Sequence, residues 1–260
     1  MLRVEKLTAG YGRAAIIRDV GLRAERASVV AVVGPNGSGK STCLKAIMGL
    51  VRVLAGSVQV DGVETTTWET HNLATYGVAY VPQVNNVFSS MSVVENLQVG
   101  RSGHARKTRE SVDSALSLFP DLSAAAHKQA GQLSGGQRNL LGIARAMTLE
   151  PRVLLLDEPT AGLSPRYTEM VWEQVHTIAE REVAIVIVEQ NVDLAIANAD
   201  RVYVLVAGRN VLEGSPARLA GIDLAALFLG GSISTGVVAS EVEGDRPALT
   251  LNKCHGTTED

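Results

Sequence analysis

The sequence predicts an α/β fold with a mostly parallel central sheet, an antiparallel β subdomain and a helical subdomain, and three features of its hydrophobic pattern carry that expectation. Fully apolar runs at Val29–Val33, Val153–Leu156, Val183–Val188 and Val202–Val206 show no polar alternation. Strands of a parallel sheet covered by helices on both faces read this way. Shorter runs at Leu2–Leu7, Ile16–Leu22 and Ser57–Val60 alternate or meet turn residues such as Asp61-Gly62, the mark of antiparallel strands. Between Asn85 and Gln129 the composition shifts to Ser, Ala, Leu and mixed charge, and Val112, Ala115, Leu116 and Phe119 fall at helical spacing. The expected organisation is therefore a core formed by residues 1–84 and 130–230 with its β subdomain, a helical subdomain over 85–129, and a loosely ordered tail over 231–260, where Ser, Thr, Gly and charge replace the apolar periodicity.

Two further helices are predicted. After Gly136, the residues Leu140, Ile143, Ala144 and Met147 recur at helical spacing up to a stop near Pro151. Ser215-Pro216 reads as an N-cap followed by a first-turn proline.

Composition excludes several classes. A chain of 260 residues suits one domain with an appendage better than two equal halves. With 24 basic against 27 acidic side chains, the net charge of -3 gives no long-range attraction for nucleic acid or anionic lipid, and no nucleic-acid partner is expected. The apolar runs are far shorter than the roughly 20 residues of a membrane span. The start, Met1-Leu2-Arg3-Val4-Glu5-Lys6, carries charge where a signal peptide needs an apolar segment, so a cytoplasmic location is expected. Cys43 and Cys254 lie in unlike contexts and form neither a disulfide framework nor a metal cluster.

The chemistry begins at Gly34-Pro35-Asn36-Gly37-Ser38-Gly39-Lys40-Ser41-Thr42, which fits the phosphate-binding P-loop pattern and lies between an apolar strand and a helical run through Leu44, Ile47 and Met48. Glycines let the backbone turn tightly and aim its N–H groups inward, and the positive end of the following helix adds attraction for phosphate. Lys40 is expected on the β- and γ-phosphates of ATP, and Ser41 on Mg²⁺. Such a loop can also be a purely structural turn, so a second acidic element decides between the readings. Val153–Leu156 supplies it by running into Asp157 and Glu158, two carboxylates at the open end of the sheet. Asp157 suits the metal, and Glu158 suits accepting a proton from, or orienting, the water that attacks the γ-phosphate.

Many P-loop enzymes share these parts, and Leu133-Ser134-Gly135-Gly136-Gln137 discriminates among them. With this motif at a helix start, upstream of the acidic strand, the chain resembles the ABC ATPases of membrane transporters. A helix N-terminus, a Ser hydroxyl and two glycines permit close approach to a phosphate. The resemblance implies that Ser134, Gly135, Gly136 and Gln137 close over ATP held by the P-loop of a second ABC ATPase subunit in a head-to-tail dimer. It also implies that Tyr11 stacks on adenine and that Gln83, in Tyr80-Val81-Pro82-Gln83, contacts metal and water. Residues Asn85–Met91 would then form the groove that receives a helix of an integral membrane permease, with Val87 and Phe88 as apolar contacts or, equally, as packing inside the helical subdomain.

Two positions depart from that family's pattern. Where a histidine usually contacts the γ-phosphate, Glu189-Gln190-Asn191 places Gln190, which hydrogen-bonds but cannot carry an imidazolium charge. Where an aspartate is usual in the loop after the acidic strand, Ala161-Gly162-Leu163-Ser164-Pro165 places Ser164. These departures leave nucleotide binding intact and predict asymmetry if the chain pairs with an ATPase that keeps the histidine.

The segments Val188–Asn191, Ala161–Pro165 and Leu227-Phe228-Leu229-Gly230-Gly231 look most like the shorter of the two ATPases in branched-chain amino acid importers. Similar chains serve urea and short-chain amide uptake. The resemblance implies a peripheral subunit at the cytoplasmic face of the inner or plasma membrane, working with an extracytoplasmic solute-binding protein it never touches. A soluble ABC ATPase acting on ribosomes or DNA ends is an alternative, opposed by the absence of a second ATPase half or sustained heptads. A nucleotide-binding regulatory module with little turnover is another, suggested by Gln190.

Overall fold

The computed structural model describes residues 1–99, 105–222, 224 and 228. The expected tail over 231–260, with Cys254, lies outside the described residues, as does most of Leu227–Gly231. The chain opens with β1 (Leu2–Tyr11), β2 (Ala14–Ala24) and β3 (Val29–Val33), then α1 (Lys40–Ile47), β4 (Arg52–Val60), β5 (Val63–Glu64), α2 (Thr70–Tyr76) and β6 (Val78–Val81). A helical stretch follows, with α3 (Val93–Gln98), α4 (Ala105–Leu118), α5 (Pro120–Ser123) and a 3₁₀ turn at Ala130–Gln132. Next come α6 (Gly135–Met147), β7 (Val153–Asp157), α7 (Pro165–Ala179), β8 (Ala184–Glu189), α8 (Val192–Asn198), β9 (Arg201–Val206), β10 (Arg209–Gly214) and α9 (Pro216–Leu219).

Two sheets result. The larger has the order β10-β9-β3-β8-β7-β6, parallel from β9 to β6, with β10 antiparallel on one edge; the smaller, β2-β1-β4-β5, is antiparallel throughout. All four apolar runs read from the sequence became strands of the larger sheet, and all three alternating runs became strands of the smaller.

Alternation along each central strand explains why the runs are apolar without interruption. Val29, Ala31 and Val33 enter the core beneath α6, α7 and α8, while Val30 and Val32 enter the core shared with α1 and the antiparallel sheet. In β7 the same division sends Leu154 and Leu156 one way and Val153 and Leu155 the other. A polar side chain at any of these positions would lose its water without gaining a partner, at a cost of roughly 1–3 kcal/mol.

Strand β6 was not among the expected strands. It has only four residues before Pro82, too short for a periodic signal, and its pairing with β7 from Val78↔Val153 to Val81↔Leu156 is what makes it a strand. Helix α4 holds the expected apolar positions Val112, Ala115 and Leu116, but ends at Leu118, leaving Phe119 to cap α5. Ser215 caps α9 by position, without a side-chain hydrogen bond.

The order of the strands positions the chemistry. Strands β3, β7 and β8 are neighbours and parallel, so their C-terminal ends, with the loops that follow each, converge on one rim of the sheet.

Candidate active site

The loop from Gly34 to Gly39 leaves β3 and enters α1 at Lys40. Gly39 has φ +99°, and a Cβ there would lie 2.6 Å from Ile17 Cγ2, so glycine alone fits both the backbone angle and the approach of β2. Lys40 is 4% exposed, and its ammonium donates to the carbonyls of Gly34 at 2.8 Å and Pro35 at 3.0 Å, which curls the loop around the side chain. Burial lowers the Lys40 pKa, opposed by the carboxylates of Glu158, Asp157 and Glu189. Ser38 is buried, yet its hydroxyl has no hydrogen-bond partner. Asn36 and Gly37 are exposed at the tip, Ser41 is half-buried and Thr42 is buried in the first turn of α1.

The two carboxylates after β7 are separated by their partners. Asp157 Oδ1 accepts from Ser41 Oγ at 2.7 Å and Oδ2 accepts from the Tyr80 hydroxyl at 2.9 Å, which fixes both oxygens. Glu158 takes a left-handed backbone with φ 49°, and its N–H donates to the Val188 carbonyl at 3.0 Å. This turn aims its side chain away from Asp157 towards two amides. Gln83 Nε2 donates to Glu158 Oε2 at 2.7 Å, and Gln190 Nε2 donates to the same oxygen at 2.5 Å. Three candidates separated by up to 107 positions in sequence thus meet at one carboxylate oxygen. The other oxygen has the lone pairs to accept a proton or a hydrogen bond from water.

Several residues at this rim were missed. Tyr80 was noted only as part of the Gln83 motif, although alternation in β6 puts it with Val78 on the α1 side of the sheet, within reach of Asp157. Glu189 was noted only beside Gln190. It is 2% exposed and accepts from the Thr160 hydroxyl at 2.8 Å. A charged residue that continues the buried run of β8 is the signal that could have found it.

Burial pushes the Glu189 carboxyl up to about 7, with Thr160 opposing the shift and Glu158 adding to it. Across the interval from the ordinary glutamate range to about 7, folded protein holds a proton that the unfolded chain releases, so this group's stabilisation is lost as pH rises. Glu189→Gln removes the dependence. We expect the melting temperature of the variant to match the wild type near pH 4.5 and to exceed it increasingly up to pH 8. The limit is on the order of 3 kcal/mol. Thermal melts across that range check it; a gap that stays constant or narrows contradicts the assignment.

Ser134 caps α6 in a reciprocal box. Its Oγ accepts from the Gln137 N–H at 3.2 Å, and Gln137 Oε1 accepts from the Ser134 N–H at 3.1 Å. Gln137 is therefore engaged within its own helix end, while the Ser134 hydroxyl keeps its proton to donate outward. Ser134 and Gly135 are exposed, and a Cβ at Gly135 would meet nothing within 4 Å. Gly136 is different, because a Cβ there would lie 2.3 Å from the Tyr167 ring of α7. One glycine keeps the outer surface open and the next lets α6 sit on α7. Further along α6, Asn139 accepts from Asn86 Nδ2 at 3.1 Å and donates to the Pro159 carbonyl at 2.8 Å, which ties the segment after Gln83 to the segment after Glu158.

Tyr11 ends β1 and is 54% exposed. Ser164 is the N-cap residue of α7 and makes no side-chain cap bond. Of the two readings of Val87 and Phe88, Val87 follows internal packing and lies against the core, whereas Val84 is 66% exposed and Phe88 45% exposed, with the Arg145 guanidinium 5.1 Å from the Phe88 ring centre. Val84, two positions beyond Pro82, offers the apolar surface that Val87 does not.

Residues 17–161 match the pattern of the ABC transporter family. The chain belongs to that family. As an ABC ATPase it is an ATP hydrolase, with the cassette fold and the phosphate loop described above. It is 42% identical over 217 residues to a probable branched-chain amino acid transport ATP-binding protein, LivF, of Archaeoglobus fulgidus, covering 83% of this chain and 92% of the relative. The high-affinity branched-chain amino acid transport ATP-binding protein BraG of Pseudomonas aeruginosa is 34% identical, with 84% and 94% covered. Among solved structures, the ADP conformation of an ATP-binding cassette of an ABC transporter superposes with TM-score 0.80 at 26% identity, covering 89% of this chain and 99% of that one.

The residues of this ABC ATPase fit a magnesium nucleotide. The orphaned Ser38 hydroxyl and the Lys40 ammonium supply donors at the loop, and Ser41 and Asp157 supply the hard oxygen atoms that Mg²⁺ prefers alongside water and phosphate. No helix among the described residues is long and apolar enough to cross a membrane.

Proposed function

We propose that this ABC ATPase powers the import of branched-chain amino acids, with two ATPase subunits closing on ATP beneath integral membrane permeases. The convergence of Gln83 and Gln190 on Glu158, beside the Lys40 loop, is the observation that carries the catalytic part. The two amino acid transport relatives support the solute. Urea or short-chain amide import is the alternative within the same class.

In this reading the Gly34–Gly39 amides, Lys40, Ser41 and Thr42 hold the triphosphate, and Tyr11 stacks on adenine. Asp157, Ser41 and Gln83 hold Mg²⁺, which when bound neutralises charge on the β- and γ-phosphate oxygens. Glu158 takes the proton of the attacking water, and Gln190 and Gln83 fix the carboxylate so that one oxygen faces that water. Ser134 and Gly135 of one subunit cap the γ-phosphate bound by the other, so that closure requires ATP and hydrolysis releases it. Residues 1–84 and 130–230 form the ATPase core, 85–129 the helical subdomain, and 231–260 the tail. The subunit sits peripherally on the cytoplasmic face of the membrane, and a solute-binding protein on the far side delivers cargo to the permeases.

Co-expression with the permease subunits of a branched-chain amino acid importer tests the proposal. Stable co-purification and ATP hydrolysis stimulated by a binding protein loaded with leucine, isoleucine or valine are expected; stimulation by urea or amides alone removes the solute assignment. Phe88→Asp is expected to weaken permease association by about tenfold or more, through a charge placed on an apolar contact, while leaving ATP affinity unchanged. Undiminished association would take Phe88 out of the interface.

A further inference from the structure

We propose that Glu189 is a positioning residue for ATP hydrolysis, clasping the segment that follows Glu158 to the end of β8, directly before Gln190, so that the two side chains meet. The inference rests on Glu158 and Gln190 being the hydrolytic pair described above.

Position makes the clasp possible. Glu189 is the last residue of β8, paired with Val33 at the end of β3, one residue before the phosphate loop begins. On its other side β8 runs beside β7, with Val188 opposite Asp157. The Glu189 side chain therefore lies between the two loops that carry the nucleotide chemistry. Its carboxyl accepts the Thr160 hydroxyl at 2.8 Å. Thr160 lies two residues after Glu158 and is itself buried. One buried hydrogen bond thus ties the segment after β7 to the end of β8, and Glu158 and Gln190, which lie beside its two ends, are joined at 2.5 Å.

The energetics single the residue out. A carboxyl at 2% exposure would destabilise the fold unless it accepted a hydrogen bond, and here the donor is Thr160, from the segment that carries Glu158. The charged neighbours are Glu158, after β7, which raises the Glu189 pKa, and Lys40, at the start of α1, which feels the Glu189 charge. An alanine at 189 would leave the buried Thr160 hydroxyl unpaired, and the two segments would relax independently. Hydrolysis depends on a carboxylate held to within about 1 Å, so loss of registration should reach turnover before it reaches nucleotide affinity.

The test compares Glu189→Ala, Thr160→Val and Glu189→Gln with the wild type and with Glu158→Gln, measuring kcat and the affinity for a fluorescent ATP analogue. Glu189→Ala and Thr160→Val are expected to lower kcat by about 10-fold or more and to leave nucleotide affinity within about twofold. Glu189→Gln, which keeps an acceptor oxygen, is expected to fall between Glu189→Ala and the wild type. If kcat is unchanged in Glu189→Ala and Thr160→Val while Glu158→Gln is inactive, the clasp is wrong and the hydrolytic pair stands. If Glu158→Gln itself turns over normally, the underlying reading fails instead. Equal losses of affinity and kcat would mark a merely structural residue and overturn the proposal. Should Glu189→Ala not fold, the Thr160→Val measurement decides alone.

Discussion

Glu158→Gln is expected to lower ATP turnover by about 100-fold to 10,000-fold while leaving nucleotide affinity within about twofold, the size of effect that loss of a general base produces. The substitution suits the site geometrically. A glutamine oxygen can still accept from Gln83 and Gln190, which now donate to Oε2 at 2.7 and 2.5 Å, so the cluster keeps its shape. What disappears is the basic oxygen on the other side of the carboxyl. Single-turnover kinetics on the isolated chain distinguish this from a folding defect, because the variant should still bind ATP. Turnover within about threefold of wild type would remove Glu158 from the chemistry. In an assembly with a second ATPase that carries histidine at the position of Gln190, we expect the same change in the partner to cost more than the change here. A neutral amide at 190 supplies no positive charge to the γ-phosphate, whereas a protonated imidazole would. A greater loss from the change in this chain would sink that asymmetry.

Lys40→Ala is expected to weaken ATP binding by about 10-fold to 100-fold, as removal of a charge-assisted contact to phosphate implies. The ammonium is already desolvated and held by the Gly34 and Pro35 carbonyls, so it pays little reorganisation when a phosphate arrives. Its burial costs stability in the absence of nucleotide, as the lowered pKa records. The variant should therefore melt no lower than the wild type without ATP, yet lose the stabilisation that ATP gives. Titration calorimetry together with melts at several ATP concentrations measures both. An unchanged affinity would mean that the loop amides alone hold the triphosphate.

These outcomes show which parts of the molecule a linear reading could reach. Val29–Val33 and Val153–Leu156 announce themselves because burial on both faces leaves no polar residue in the run, and the glycine-rich loop beginning at Gly34 follows one of them without a gap and leads into Lys40. Gln83, Glu158 and Gln190 were legible from the order of their motifs. Their meeting at a single oxygen was not, because it depends on a left-handed turn at Glu158 and on the parallel register of β6, β7 and β8. Tyr80 and Thr160 escaped for the same reason. Each reaches its carboxylate across neighbouring strand ends, 77 and 29 positions away in sequence, and no periodicity encodes such a contact. Val87 and Phe88 stayed open between two readings because an irregular loop has no repeat from which to tell its inner from its outer side chains.

Light scattering on the Glu158→Gln chain, with and without ATP and Mg²⁺, tests the shared nucleotide site most directly. The expected result is a particle of one 27.5 kDa chain without nucleotide and of two chains with it, the doubling being abolished by Ser134→Arg although ATP still binds. A single chain that holds ATP without doubling, or a pair that forms equally well with Arg at 134, would contradict the account.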